Sequence, residues 1–345
     1  MELYLIATLV SFIVHFLLIV PFINLLYKIR FQRANQETKD AFNNPTPIFD
    51  SFHKHKFGTP VGGGILIVLV TIVLFAITFW LLTLGQVAIT SNYNAVASEI
   101  KILFFTFISF AILGVYDDVN KILFNKKRDF FGIRMRHKLV LEIILALIIS
   151  YWLYAELGIQ IINVPFIGVV HLGWMYVVFS AFVIVAFANA VNVTDGLDGL
   201  ATTVLMVALT GFWVIARSII DVPTSIFIAV WLGGLLAFMY FNVYPARIIM
   251  GDTGALAFGA TYAVIGLILG KAFALPIIGA LFVVEILTSL LQLLSKKFRG
   301  KKLFPVAPLH LWLQLRGWEE PKITMRFLIF AILSSMFGLM MAFMK

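Results

Sequence analysis

Five of the chain's 17 carboxylates stand where they could hold a cation and phosphate together. Asp117 and Asp118 are adjacent in GVYDDVNK, Asp195 and Asp198 lie in NAVNVTDGLDGLA, and Asp252 lies in IIMGDTGA. Adjacent like charges repel, so the Asp117–Asp118 pair is costly unless something positive neutralises it. Mg2+ suits such a place. It prefers oxygen ligands, keeps several waters, and is usually held by one or two carboxylates plus substrate phosphates. There is no cysteine and no histidine-rich cluster to favour a softer metal. Any one of these acids, taken alone, reads equally well as a solvated charge at a membrane surface, paired with Lys121 or Arg128. Five acids from three loops at one membrane face is not something local helix physics requires. Acids in or beside a membrane are functional candidates by default.

Glycines accompany the acids: Gly62, Gly63 and Gly64 in GTPVGGG, Gly196 and Gly199 in TDGLDG, Gly251 and Gly254 in MGDTG. Such turns beside a helix start present N–H groups to phosphate. Glycine also lets transmembrane helices approach closely, and for the GGG run the two readings weigh the same. The last basic loop reads KKFRGKKLFPVAPLHLWLQLRGWEEPK and can hold a phosphate as well as set topology. Its His310 has apolar neighbours, a setting in which a lone histidine is more often structural. Trp312 and Trp318 suit an interfacial position. Clustered acids, Mg2+, glycine turns and basic residues together suit phosphoryl transfer at a pyrophosphate. A site open to the bilayer admits a lipid as one substrate.

The elements that must position these residues are transmembrane helices. The chain is 61% hydrophobic and 12% charged, with a mean hydropathy of +1.01. A soluble domain carries about 25% charged residues. The apolar runs are continuous rather than alternating, which favours helices over a barrel. The expectation is an all-α polytopic protein with about ten spans, roughly 3–27, 60–84, 100–116, 138–156, 171–190, 200–219, 223–241, 255–270, 273–295 and 324–344. No cleavable signal peptide is expected. Of the 26 Lys and Arg, 22 fall in alternate loops, which places those loops in the cytoplasm and both termini outside. The net charge of +9 is therefore read as topology-setting, with no nucleic-acid partner. No soluble domain is visible, and 1–345 reads as one transmembrane domain.

With these motifs in view, the chain resembles the MraY family, the phospho-N-acetylmuramoyl-pentapeptide transferases of the polyprenyl-phosphate N-acetylhexosamine-1-phosphate transferase superfamily. The resemblance covers most of the chain. It rests on HKHKFGTPVGGG, GVYDDVNK, NAVNVTDGLDGLA, FNVYPARIIMGDTGALAFG, EILTSLLQ and APLHLWLQLRGWEEPKITMRF. It implies transfer from UDP-MurNAc-pentapeptide to undecaprenyl phosphate, giving lipid I and UMP, with Mg2+ as cofactor. It implies a site on the cytoplasmic face of a bacterial inner membrane, and a homodimer would be in keeping with the family. By matching motif, Asp117 and Asp118 would serve the lipid phosphate and the catalytic centre, and Asp252 would ligate Mg2+ with Asn192. Asn192, Asp195, Gly196 and Asp198 would line the nucleotide and pyrophosphate site, with Lys56, Lys121 and Asn242 nearby. His310 matches the first histidine of a triple-histidine motif. Direct attack of the lipid phosphate is favoured over a two-step route through an aspartyl intermediate.

Three departures fall in the implied donor pocket. Leu311 and Trp312 replace two histidines, Val61 replaces a threonine, and Ile249 replaces a phenylalanine. They put the sugar in doubt more than the reaction. The alternative within the superfamily is a WecA/TagO-type enzyme moving another hexosamine phosphate. A ten-helix secondary transporter fits less well, because the acids collect at one face and only Glu142 and Glu285 sit inside spans. An inactive homologue would have no need of the repulsive acid pair.

Overall fold

The computed structural model describes residues 2–32, 47–52, 56–123 and 135–344. Several residues of the reading above lie outside these: His53, Lys54 and His55 of the first motif, and Arg33, Lys39, Lys126, Lys127, Arg128 and Arg134 of the basic loops.

The chain is an all-α polytopic membrane protein. Its helices are α1 (Glu2–Lys28), α2 (Pro47–Phe52), α3 (Gly63–Leu84), α4 (Val96–Leu123), α5 (Met135–Ala155), α6 (Met175–Thr194) and α7 (Leu200–Ser218). They continue as α8 (Val222–Asn242), α9 (Gly251–Ile268), α10 (Ala274–Ile278), α11 (Ala280–Arg299), α12 (Leu309–Leu315) and α13 (Glu320–Phe343). One antiparallel hairpin, β1 (Ile161–Val164) with β2 (Gly168–His171), joins α5 to α6. Among the described residues nine helices are long and apolar enough to cross a membrane: α1, α3 to α9 and α13. Their outward faces are leucine, isoleucine, valine and phenylalanine, as on α13 at Ile329, Phe330, Leu333, Met336 and Phe337. Lipid is the only solvent these faces suit.

The ninth expected span, 273–295, is the one that changes. It is not a single helix. The chain breaks at Gly279 between α10 and α11. α11 carries Glu285, Lys296, Lys297 and Arg299. Leu287, Leu290, Leu291, Leu294 and Phe298 form an exposed apolar stripe on one side of it. Its charges set α11 apart from the nine helices that are long and apolar enough to cross a membrane.

Helix α9 is the axis of the molecule. Every one of its residues except Asp252 is buried. Around it, Phe107 of α4, Trp231 of α8 and Phe258 of α9 pack with ring centroids 5.2 to 5.7 Å apart. Small residues bring the backbones together at its start. A Cβ on Gly64 would lie 2.2 Å from the Gly254 nitrogen, and one on Gly114 would lie 2.4 Å from the Asp252 carbonyl oxygen. Part of the GGG run is thus helix packing, as in other tight membrane crossings.

At the far end of the bundle, the start of α4 is tied to the start of α8. Asp221 caps α8 by accepting from the Thr224 amide at 3.0 Å. Glu99 accepts from the hydroxyls of Thr224 at 2.7 Å and Ser91 at 2.6 Å. Glu99 is fully buried on the first turn of α4.

Candidate active site

Asp117 and Lys121 sit one turn apart near the end of α4, Lys138 opens α5, Asn192 closes α6, and Asp252 opens α9. Four helices therefore bring one or two side chains each to the same end of the bundle. The four charged groups form a closed ring. Lys121 Nζ lies 3.0 Å from Asp117 Oδ2 and 2.8 Å from Asp252 Oδ1. Lys138 Nζ lies 3.1 Å from the same Asp117 oxygen and also donates to Asp252 Oδ2. The Asn192 amide donates to Asp252 Oδ2 at 3.3 Å. Two ammonium groups shared by two carboxylates compensate each other, which lets charges sit in a largely buried place.

Asp118 does something different. Its Oδ1 accepts from the Asp252 amide at 3.0 Å, and its Oδ2 accepts from the amide and hydroxyl of Thr253 at 3.0 and 2.7 Å. It caps the N-terminus of α9, where unpaired N–H groups and the helix dipole favour a carboxylate. Gly251 makes the approach possible. Its φ is +78°, and a Cβ there would lie 2.8 Å from Asp118 Oδ2. The adjacent acid pair is thus divided. Asp117 faces the lysines, and Asp118 fixes the helix that carries Asp252.

Asp195, half-buried, ends α6 as its C-cap residue, beside the same loop. A second network holds that loop. Lys56 Nζ donates to the Gly196 carbonyl at 2.9 Å and pairs with Asp198 Oδ1 at 2.9 Å and Glu320 Oε2 at 3.1 Å. The other Asp198 oxygen accepts from the Ala246 amide at 2.9 Å, and Glu320 also accepts from the Asp198 amide at 3.1 Å. Asn242 spends its amide between Thr202 and the Ile248 carbonyl, both at 2.9 Å. Lys56, Asp198 and Asn242 are therefore bound to the protein itself and shape the loops. His310 lies against Gly196, where a Cβ would come 2.3 Å from its Nε2. Its Nδ1 is 2.9 Å from Glu285 Oε2.

Val61 and Ile249, two of the three departures, are neighbours. They form an isolated bridge in which the two segments run parallel. The Gly62 and Gly63 amides donate to the Ile249 carbonyl at 3.1 and 2.9 Å, and the Ile249 amide to the Pro60 carbonyl at 2.9 Å. Both side chains are half-buried.

Lys138 and Glu320 are candidate-site residues to which the sequence assigns no role, and Glu285 reads there only as an acid inside a span. By sequence Lys138 reads only as one of the topology-setting charges. One signal pointed to it: it sits on the first turn of an apolar helix, on the face where the acids end. Glu320 follows the last basic loop and has no local signal at all.

The site is rich in oxygen donors of the kind Mg2+ takes, from Asp117, Asp252 and Asn192. Among the described residues no three His, Cys, Asp or Glu converge as a ready-made metal cage. Asp118 is turned away into α9, which leaves two carboxylates. That number matches a Mg2+ site completed by substrate phosphates.

The family described as Glycosyl transferase family 4 matches residues 100–270. That stretch contains Asp117, Lys138, Asn192 and Asp252. A phospho-N-acetylmuramoyl-pentapeptide-transferase of Clostridium perfringens (strain 13) is 35% identical over 328 residues, 94% of each chain. One of Clostridium novyi (strain NT) is 32% identical, covering 98% of this chain and 96% of its own. One of Caldanaerobacter subterraneus is 34% identical, covering 95% of both. Similarity of this extent runs through every helix that supplies the ring of lysines and aspartates, and the chain belongs to the MraY family of phospho-N-acetylmuramoyl-pentapeptide transferases.

Proposed function

We propose that the chain transfers phospho-MurNAc-pentapeptide from UDP-MurNAc-pentapeptide to undecaprenyl phosphate, giving lipid I and UMP for peptidoglycan synthesis. The observation that carries this is the ring of Asp117, Lys121, Lys138 and Asp252 at one end of the bundle. It gathers two ammonium groups and two carboxylates in one place, which suits holding a lipid phosphate and a pyrophosphate together. An oxygen of the lipid phosphate attacks the β-phosphorus of the donor. The bond from that phosphorus to the bridging oxygen breaks, and UMP leaves with the electron pair.

Positioning and charge compensation dominate phosphoryl transfer. Lys121 and Lys138 supply fixed positive charge for the two phosphates. Asp117, paired with both lysines, holds them in place. Asp252 and Asn192 would hold Mg2+. When bound, the ion would neutralise charge building on the departing phosphate. Asp118 keeps Asp252 in register by capping α9. The alternation of the basic loops supports a site on the cytoplasmic face of a bacterial inner membrane, with both termini outside.

The half-buried apolar pair Val61 and Ile249 favours testing a second donor, a UDP-N-acetylhexosamine used by a WecA/TagO-type enzyme. Purified protein with undecaprenyl phosphate, Mg2+ and each donor in turn decides it by mass spectrometry of the lipid product. Lipid I, lost on chelation, is expected. A polyprenyl-diphosphate hexosamine in its place would reassign the sugar, and no lipid product from either donor would overturn the reaction.

A further inference from the structure

We infer that Glu285 is a positioning residue for His310, and that the pair acts as one unit on the donor's phosphates. The inference rests on the transferase reading above. Both side chains are buried, with Glu285 at 0% and His310 at 1% relative exposure. Glu285 grips the histidine twice. Its Oε2 accepts a hydrogen bond from the ring Nδ1–H at 2.9 Å, and its Oε1 accepts from the His310 backbone amide at 3.2 Å. The first contact fixes the ring plane and the tautomer, and the second fixes the first turn of α12.

The consequence is directional. With Nδ1 held as a donor to the carboxylate, Nε2 is the ring atom turned toward the loop that begins at Asp195. It comes so close to Gly196 that a Cβ there would lie 2.3 Å away. The neighbours do not share this role. Leu311 is buried. Trp312 lies under the guanidinium of Arg316, at 4.4 Å from its ring centre, and beside Phe304.

A structural hydrogen bond alone does not explain the choice of glutamate. A carboxylate with no exposure is expensive, and a neutral acceptor would anchor α12 at lower cost. The carboxylate is warranted where the ring it orients must meet phosphate charge.

The test is a double-mutant cycle on full-length protein in nanodiscs, measuring kcat, donor KM and thermal unfolding for E285Q, H310A, E285Q/H310A and E285D. Acting through His310, E285Q should lower kcat about 10-fold or more, as for loss of a carboxylate that orients a working histidine. The donor KM should change little and the unfolding temperature should stay near wild type. The double variant should then be no slower than H310A alone, and E285D should recover part of the rate. Wild-type kcat in E285Q, or losses that multiply in the double variant, would overturn the inference. Absence of transfer by the wild type with every donor would instead sink the transferase reading, and this pairing with it.

Discussion

At the residue scale, two neighbouring aspartates have separate duties, and separate variants should expose them. Asp252 is the single accessible residue of α9 and meets both lysines. Asp252→Ala should abolish transfer and remove tight Mn2+ binding, read by electron paramagnetic resonance; unchanged Mn2+ affinity would remove it as a ligand. Asp118→Ala deletes three hydrogen bonds at the start of α9. Loss of a helix cap costs about 0.5–2 kcal/mol. The variant should therefore melt earlier as well as turn over more slowly, with Mn2+ binding weakened rather than lost. Equal Mn2+ loss in both variants would return Asp118 to the metal.

At the element scale, the site depends on how closely α3, α4 and α9 approach. Gly114 sits against the Asp252 backbone with no room for a methyl group. Gly114→Ala should push α4 away from α9, and overpacking of this kind costs about 1–3 kcal/mol. Transfer should fall with stability, because Asp117 and Asp252 ride on the two helices that separate. Thermal unfolding in detergent beside kcat checks this, and an unaffected melting temperature would mean that the contact has slack. The break between α10 and α11 at Gly279 belongs to the same scale, and beyond it Glu285 of α11 faces a histidine 25 residues later.

At the scale of the whole molecule, the ends of the bundle differ in chemistry. One end carries the lysine–aspartate ring, the Lys56 network and His310. The other carries the hairpin and the Glu99–Asp221 clamp. The chain has no cysteine, so single-cysteine variants label without background. Trp174 and Arg247 are exposed at opposite ends. In intact cells a membrane-impermeant maleimide should label Trp174→Cys, and should label Arg247→Cys only after permeabilisation. The reverse pattern would invert the topology and the side on which transfer occurs.

The sequence by itself determined the fold class and the approximate spans, and it set the expectation of one membrane face for the chemistry. Hydropathy and charge asymmetry act locally, on each segment separately, so they are legible without coordinates. It also determined the acids, because Asp117, Asp118 and Asp252 are costly residues in an apolar chain. Only the tertiary structure decided how these groups divide the work. Lys138 became a site residue because α5 packs where its ammonium reaches two carboxylates. Asp118 became a cap because α4 crosses the start of α9. Val61 and Ile249 became neighbours through backbone pairing. Glu285 became His310's partner through a contact 25 residues along the chain. Each of these is a contact between segments far apart in the chain, and such contacts depend on which helices pack together, which no local pattern encodes.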